Sequence, residues 1–306
     1  HIYIYSPSGA VRDKAAFKRG VARLKKLGHE VELDANALSR QTRFAGDDAT
    51  RLSAIQRAAA SGADVAMISR GGYGLTRILP DLPYKALAKA IDKGTQFVGL
   101  SDFTAFQNAL LAKTGAVTWA GPALGEDFGA EQPDDIMEAC FDDMLSGQGE
   151  GAGWRLSAAC VKAQTKADGV WARNALLWGG NLTVLCSLLG TPFFPQVKQG
   201  VLFLEDVGEH PYRIERMLTQ LLHAGVLAQQ KAIVLGQFTH YKLTPHDQGF
   251  HIQSVVNWLR AHTKVPVLTD LPFGHVPTKV CLPVGQRVSL LVENRDALLL
   301  WAHGAH

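Results

Sequence analysis

Through the first half of the chain, short apolar runs alternate with longer stretches of helical spacing. Ile2-Tyr3-Ile4-Tyr5 reads as a strand and closes at a Ser6-Pro7-Ser8-Gly9 turn. A basic amphipathic stretch follows from Arg12 to Leu27 and ends at Gly28, a natural helix C-cap. Val31 to Leu33 is a candidate second strand. A helix from Asp47 to Ala60 precedes Val65-Ala66-Met67-Ile68, an apolar run too short for a helix, and then comes the glycine-rich Arg70-Gly71-Gly72-Tyr73-Gly74. Phe97 to Leu100 predicts another buried strand, Phe103, Phe106, Leu110 and Leu111 carry helical spacing, and Val117 to Trp119 continues the alternation. Repeated βα units predict a mostly parallel sheet with helices on both faces, whose ligands collect at the carboxyl ends of the strands.

A helical segment from Asp134 to Leu145 leads into Ser146-Gly147-Gln148-Gly149-Glu150-Gly151-Ala152-Gly153, where four glycines in eight residues mark a linker. The division expected from this is a first domain over 1–146, a linker region over 147–165 and a second domain over 166–306. The second half holds more short apolar runs, at Val170 to Ala172, Ala175 to Trp178, Val201 to Leu204, Ala232 to Leu235, Val265 to Leu268 and Val288 to Val292. Helices are predicted near Asn181 to Leu189, Pro211 to His223 and His251 to Ala261. There is no internal repeat. The terminal His303-Gly304-Ala305-His306 reads as unstructured and without a role.

At 306 residues, 47% hydrophobic and 19% charged, the chain has the composition of a globular α/β protein and can bury large cores. A net charge of +3, with Lys and Arg scattered along the chain, gives nucleic-acid binding no support. No apolar run reaches membrane-spanning length, and the sequence opens on a strand without a basic region and signal core. Cys140, Cys160, Cys186 and Cys281 show no C-x-x-C or zinc spacing, which points to a reducing, cytoplasmic setting. Cys186 and Cys281 sit in apolar runs and read as small buried hydrophobes.

Chemistry concentrates at Gly99-Leu100-Ser101-Asp102-Phe103. A strand, a glycine, one serine and a helix in that order can hold Ser101 at a sharp bend above a parallel sheet, the geometry of a nucleophile elbow. The usual elbow has glycine two residues after the serine, where this chain has Phe103, and Ser101 or Asp102 can equally cap the helix. Gly71 to Gly74 let backbone approach closely, so the amides of Gly72 and Asp102 are a candidate oxyanion hole. The turn at Ser6 to Gly9 lacks the lysine of a P-loop and reads as a tight turn.

A serine nucleophile requires a base, and the base a carboxylate to orient it. Val201 to Leu204 reads as a buried strand delivering Glu205 to its end, with Asp206 and Glu209 as competitors and an ion pair to Arg213 or Arg216 as the structural alternative. Of the 11 histidines, His275 stands in the rigid Leu271-Pro272-Phe273-Gly274-His275-Val276-Pro277 loop, where an imidazole can be held against a site. His240, His246, His251 and Asp247 do not have the spacing of a helical zinc site, so no metal is expected there.

Arg70 to Gly74, Gly99 to Ala105, Trp178-Gly179-Gly180-Asn181-Leu182, Leu202 to Glu209, Pro211 to Met217, and Gly274-His275 with Pro283-Val284-Gly285 together resemble the L,D-carboxypeptidases of the S66 serine peptidase family. The resemblance spans nearly the whole chain in order, with Leu100 where a tyrosine is common. It implies a Rossmann-like parallel-sheet N-terminal domain, a strand-rich α/β C-terminal domain, no cofactor and a homodimer. It also implies release of the terminal D-alanine from murein tetrapeptides in cell-wall recycling. Carried over, the nucleophile falls on Ser101, the triad carboxylate on Glu205, the base on His275 and the oxyanion donors on Gly72 and Asp102.

Arg70 is a candidate partner for the substrate's free carboxylate, with a structural ion pair as its alternative. Within the family, hydrolysis of aminoacyl nucleotides of the microcin C type is the second expectation, with Trp178 or Tyr73 as the aromatic platform. A non-catalytic protein closing on a small anionic ligand is the alternative of another class.

Overall fold

A computed structural model describes residues 1–163, 166 and 168–301. The tail at 303–306 and two residues of the expected linker, Gln164 and Thr165, lie outside the described residues. In chain order the elements are β1 (Ile2–Tyr5), α1 (Lys14–Lys26), β2 (Val31–Leu33), α2 (Asp48–Ala60), β3 (Val65–Ile68), α3 (Tyr84–Asp92), β4 (Gln96–Gly99), α4 (Phe103–Thr114), β5 (Thr118–Ala120) and α5 (Asp135–Ser146). They continue with β6 (Gly151–Arg155), α6 (Ala158–Lys162), β7 (Gly169–Asn181), α7 (Leu182–Leu188), β8 (Val201–Val207), α8 (Pro211–His223), β9 (Ala232–Thr239) and α9 (Ile252–His262). β10 (Val267–Leu268), β11 (Leu282–Val284), β12 (Arg287–Glu293) and β13 (Asp296–Trp301) complete the set.

The chain forms two compact units, one of residues 1–148, 190–195 and 277–285, the other of residues 149–189, 196–276 and 286–306. In the first, the strand order is β11-β5-β4-β3-β1-β2. All neighbours are parallel except β11, which returns antiparallel along β5. Helices start where the sequence supplies caps: Asp13, Asp47 and Asp134 each accept a backbone N–H from three residues on. Helix α4 departs from the expected one-sided pattern. Residues 103–111 are all buried, polar Thr104, Gln107 and Asn108 among them, so it is a core helix rather than a surface one.

The sheet of the second unit runs β10-β9-β8-β7-β12-β13-β6, parallel from β7 to β10 and antiparallel from β7 to β6. The runs at 170–172 and 175–178 are one long strand, β7. The expected linker is corrected as well, since it contains β6, paired with β13, and the short helix α6. Gly151 and Gly153 alternate with buried Ala152 and Trp154, so these glycines are the outward positions of an edge strand. The Trp154 indole N–H donates to the Thr269 carbonyl at 3.0 Å and holds that strand down.

Where the chain returns to the first unit, Lys279 Nζ lies 2.5 Å from Asp127 Oδ1, both side chains 3% exposed. Burial pushes the Asp127 carboxyl above the usual carboxylate range, against the pull of the Lys279 ammonium. Lys279→Met strands that carboxyl and is expected to destabilise the fold by about 3–5 kcal/mol. A carboxyl whose folded pKa lies above its ordinary value of 3.8 loses stability as pH rises past that value. Urea melts should therefore show a greater loss at about pH 8 than at about pH 5. An equal loss at both would mean that Asp127 carries no buried charge.

Candidate active site

Strand β4 ends at Gly99, and two residues later Ser101 sits at φ 65°, the left-handed region that a serine adopts at a cost of about 1–2 kcal/mol. The Thr104 N–H donates to the Ser101 carbonyl at 3.0 Å as α4 begins, so the serine occupies the bend itself. The loop after β3 lies against it. A Cβ on Gly71 would come 2.8 Å from the Ser101 Cβ, and one on Gly72 would collide with the Asp102 side chain. Only glycine lets backbone approach the serine this closely, which accounts for Gly71-Gly72.

The Asp102 side chain does not cap α4. Its Oδ2 accepts from Ser8 Oγ at 2.5 Å and from the Leu75 N–H at 2.8 Å, tying together the loops that follow β1, β3 and β4. Nothing in the spacing of Ser8 announced that bond, and the tight turn it belongs to is a support of the elbow. Arg70 and Tyr73 belong to the same corner. The Arg70 guanidinium is half-buried and donates to the Ala10 carbonyl at 3.4 Å, while Tyr73 is 45% exposed and packs beside Phe44 with ring centroids 5.9 Å apart. The ion-pair alternative for Arg70 fails, since among the described residues no carboxylate lies within contact of it.

In the second unit Glu205 lies inside β8 rather than at its end, fully buried. A carboxylate in that setting requires partners for both oxygens. Oε2 takes His275 Nδ1 at 2.9 Å and Oε1 takes Asn181 Nδ2 at 3.1 Å. The contact with Nδ1 fixes the imidazole with its proton toward Glu205, which leaves Nε2 as the basic nitrogen. The His275 loop is itself held, with the Gln237 N–H donating to the Phe273 carbonyl at 2.9 Å, Gln237 Nε2 to the Leu271 carbonyl at 3.0 Å and Thr239 Oγ1 to the His275 carbonyl at 3.3 Å.

The competitors have structural tasks. Asp206 accepts from Thr183 Oγ1 at 2.7 Å, the Thr183 N–H at 2.9 Å and Asn181 Nδ2 at 3.0 Å, with burial raising its carboxyl pKa. Glu209, just ahead of α8, pairs with Arg213 in its first turn. Asn181, which caps α7 through its side-chain oxygen, is a positioning residue for Glu205 that the sequence left without a role. Its one signal was its place in the Trp178 to Leu182 motif.

Trp178 requires a correction. It is fully buried in β7 and its indole N–H donates to Gln230 Oε1 at 3.0 Å, so it is a core residue and not a platform for a base or ring. Among the described residues no cluster of His, Cys, Asp and Glu has the arrangement of a metal site, and Asp247 instead pairs with His210 at 3.1 Å. Cys186 and Cys281 are buried, and burial pushes the Cys186 thiol up to about 12. No helix of the described residues is long and apolar enough to cross a membrane.

Residues 2–121 match the family model described as LD-carboxypeptidase N-terminal domain, and residues 174–290 match that of the LD-carboxypeptidase C-terminal domain. A putative carboxypeptidase of Synechocystis is 32% identical over 94% of this chain and 90% of its own length. The chain belongs to the S66 LD-carboxypeptidase family. The fold agrees: the crystal structure of a muramoyltetrapeptide carboxypeptidase from Oxalobacter formigenes superposes with a TM-score of 0.88, at 38% identity over 99% of each chain. The microcin C7 self-immunity protein MccF, in complex with glutamyl sulfamoyl guanosine, has the same fold. Its TM-score is 0.84 at 22% identity over 99% of this chain and 96% of that one. As an S66 family member the protein is a hydrolase of the peptidase class. One described unit holds a serine in a left-handed bend packed against Gly71, the other a buried carboxylate–imidazole pair.

Proposed function

We propose that this S66 family member is a serine L,D-carboxypeptidase that removes the terminal D-alanine from murein tetrapeptides in cell-wall recycling. Ser101 Oγ attacks the scissile carbonyl and His275 Nε2 takes its proton. Glu205 stabilises the imidazolium, and the amides of Gly72 and Asp102 receive the oxyanion. His275 then returns the proton to the leaving D-alanine amine, and water, activated by the same imidazole, hydrolyses the acyl-enzyme. Arg70 pairs with the free carboxylate of D-alanine and so separates a chain end from an internal peptide.

The observation that supports this reading most strongly is the His275–Glu205 contact of 2.9 Å, in which a fully buried carboxylate spends one oxygen on the imidazole. The substrate class rests on the likeness to the Oxalobacter formigenes enzyme, 38% identical over 99% of the chain. Incubation with a defined tetrapeptide, followed by mass spectrometry, should yield one D-alanine and a tripeptide, while an aminoacyl sulfamoyl nucleotide should stay intact. Cleavage of the nucleotide analogue with the tetrapeptide untouched would reverse the assignment.

A further inference from the structure

Three arginines gather at the corner formed by the loops around Gly71. Arg23, Arg51, Arg57, Arg77 and Arg213 each contact a carboxylate, of Glu138, Asp48, Asp34, Asp48 and Glu209 respectively. Of the chain's 16 arginines the other 11 contact no carboxylate among the described residues, and what sets Arg12, Arg43 and Arg70 apart within that group is that they meet at one corner.

These three arginines are brought to one rim by backbone hydrogen bonds between three loops. The Gly9 N–H donates to the Gly71 carbonyl at 3.2 Å, the Ala10 N–H to the Arg43 carbonyl at 3.0 Å and the Ala45 N–H to the Ser8 carbonyl at 3.0 Å. Arg70 closes the arrangement from its side chain, donating to the Ala10 carbonyl at 3.4 Å. Arg12 follows two residues later with an exposed side chain, and Arg43, also exposed, stands over the Tyr73 ring at 5.9 Å from its centroid. Burial and then the Arg12 charge hold the Arg70 guanidinium below its ordinary pKa, with Arg43 adding to the repulsion and Glu126 and Asp102 opposing it. Exposed arginines set around a half-buried one, without carboxylates of their own, form an unsatisfied anion site.

We propose that Arg12 and Arg43 bind a second carboxylate of the peptide substrate, in addition to the terminal one assigned to Arg70, and thereby select acidic peptides over amidated ones. This inference rests on the peptidase reading above. A murein peptide offers such a group in two places: the α-carboxylate left by a γ-linked glutamate, and the second carboxylate of a diamino acid when that residue is diaminopimelate. Guanidinium fits either, since a planar donor pair meets a carboxylate on two bonds and a carboxamide on one.

The test compares a tetrapeptide carrying both carboxylates with two peptides, each amidated at one of them. In the wild-type protein, amidation at the recognised position should raise KM about 10- to 100-fold, and the peptide that shows the effect identifies the carboxylate. Arg12→Ala/Arg43→Ala should bring the acid-to-amide ratio toward one, and Arg43→Lys should recover part of it. The same three peptides titrated calorimetrically against the Ser101→Ala protein give Kd ratios that need no turnover. Equal handling of all three peptides by the wild-type protein, or discrimination that survives the double substitution, overturns the proposal. A protein that releases no D-alanine yet still binds acid over amide would refute the peptidase reading and leave the anion site standing.

Discussion

Ser101→Ala is expected to lower kcat by about 10⁴-fold or more on any peptide the protein hydrolyses, with binding largely retained. The size of the effect follows from what the substitution removes. The oxyanion donors assigned to Gly72 and Asp102 are backbone groups and survive it, as does the carboxylate contact assigned to Arg70, so the residual rate reports what those groups achieve without a nucleophile. Alanine also keeps the Cβ that packs against Gly71, so the elbow should fold as before. A variant that keeps near-normal turnover while melting like the wild-type protein would leave the bend at Ser101 a matter of chain geometry alone.

Glu205→Gln should cost about 10³- to 10⁴-fold in kcat, and its cause differs. The carboxamide is nearly isosteric and can still meet Asn181 and His275, so packing around β8 is preserved. What changes is the electrostatics: the imidazolium formed during acyl transfer loses its buried counter-charge, and the amide N–H can turn the ring to the wrong tautomer. Substrate Kd should move little, which separates this loss from one of binding. Asn181→Ala should give a milder version, about 10- to 100-fold, because it frees Glu205 Oε1 without removing the charge. Equal kcat for Glu205→Gln and the wild-type protein would remove the carboxylate from the mechanism.

How much of this could be read from the chain depends on how local the cause is. The βα alternation and the helix from Pro211 to His223 were legible because each is set by neighbours within a few residues. The bend at Ser101 was legible for the same reason. The glycines near 150 misled because edge-strand pairing with β13, a partner far along the chain, decided their conformation. Glu205 was expected at a strand end, but β8 runs on to Val207, and its partner Asn181 comes from the neighbouring strand β7. Trp178 is a large aromatic whose buried indole N–H is met by Gln230, remote in sequence, and only the fold reveals it as core. Arg70 was read as an anion partner from its own motif, but that Arg12 and Arg43 join it was not, because loops far apart in the chain bring them together.

The most direct test of the central claim is covalent labelling of the intact protein with a serine-acylating probe, followed by peptide mapping. An activated hydroxyl predicts a single label on Ser101, lost in Ser101→Ala and much slowed in His275→Ala and Glu205→Gln. No label, or a label on Ser101 that forms equally fast in all but the Ser101→Ala protein, would contradict a hydroxyl activated by His275 and Glu205.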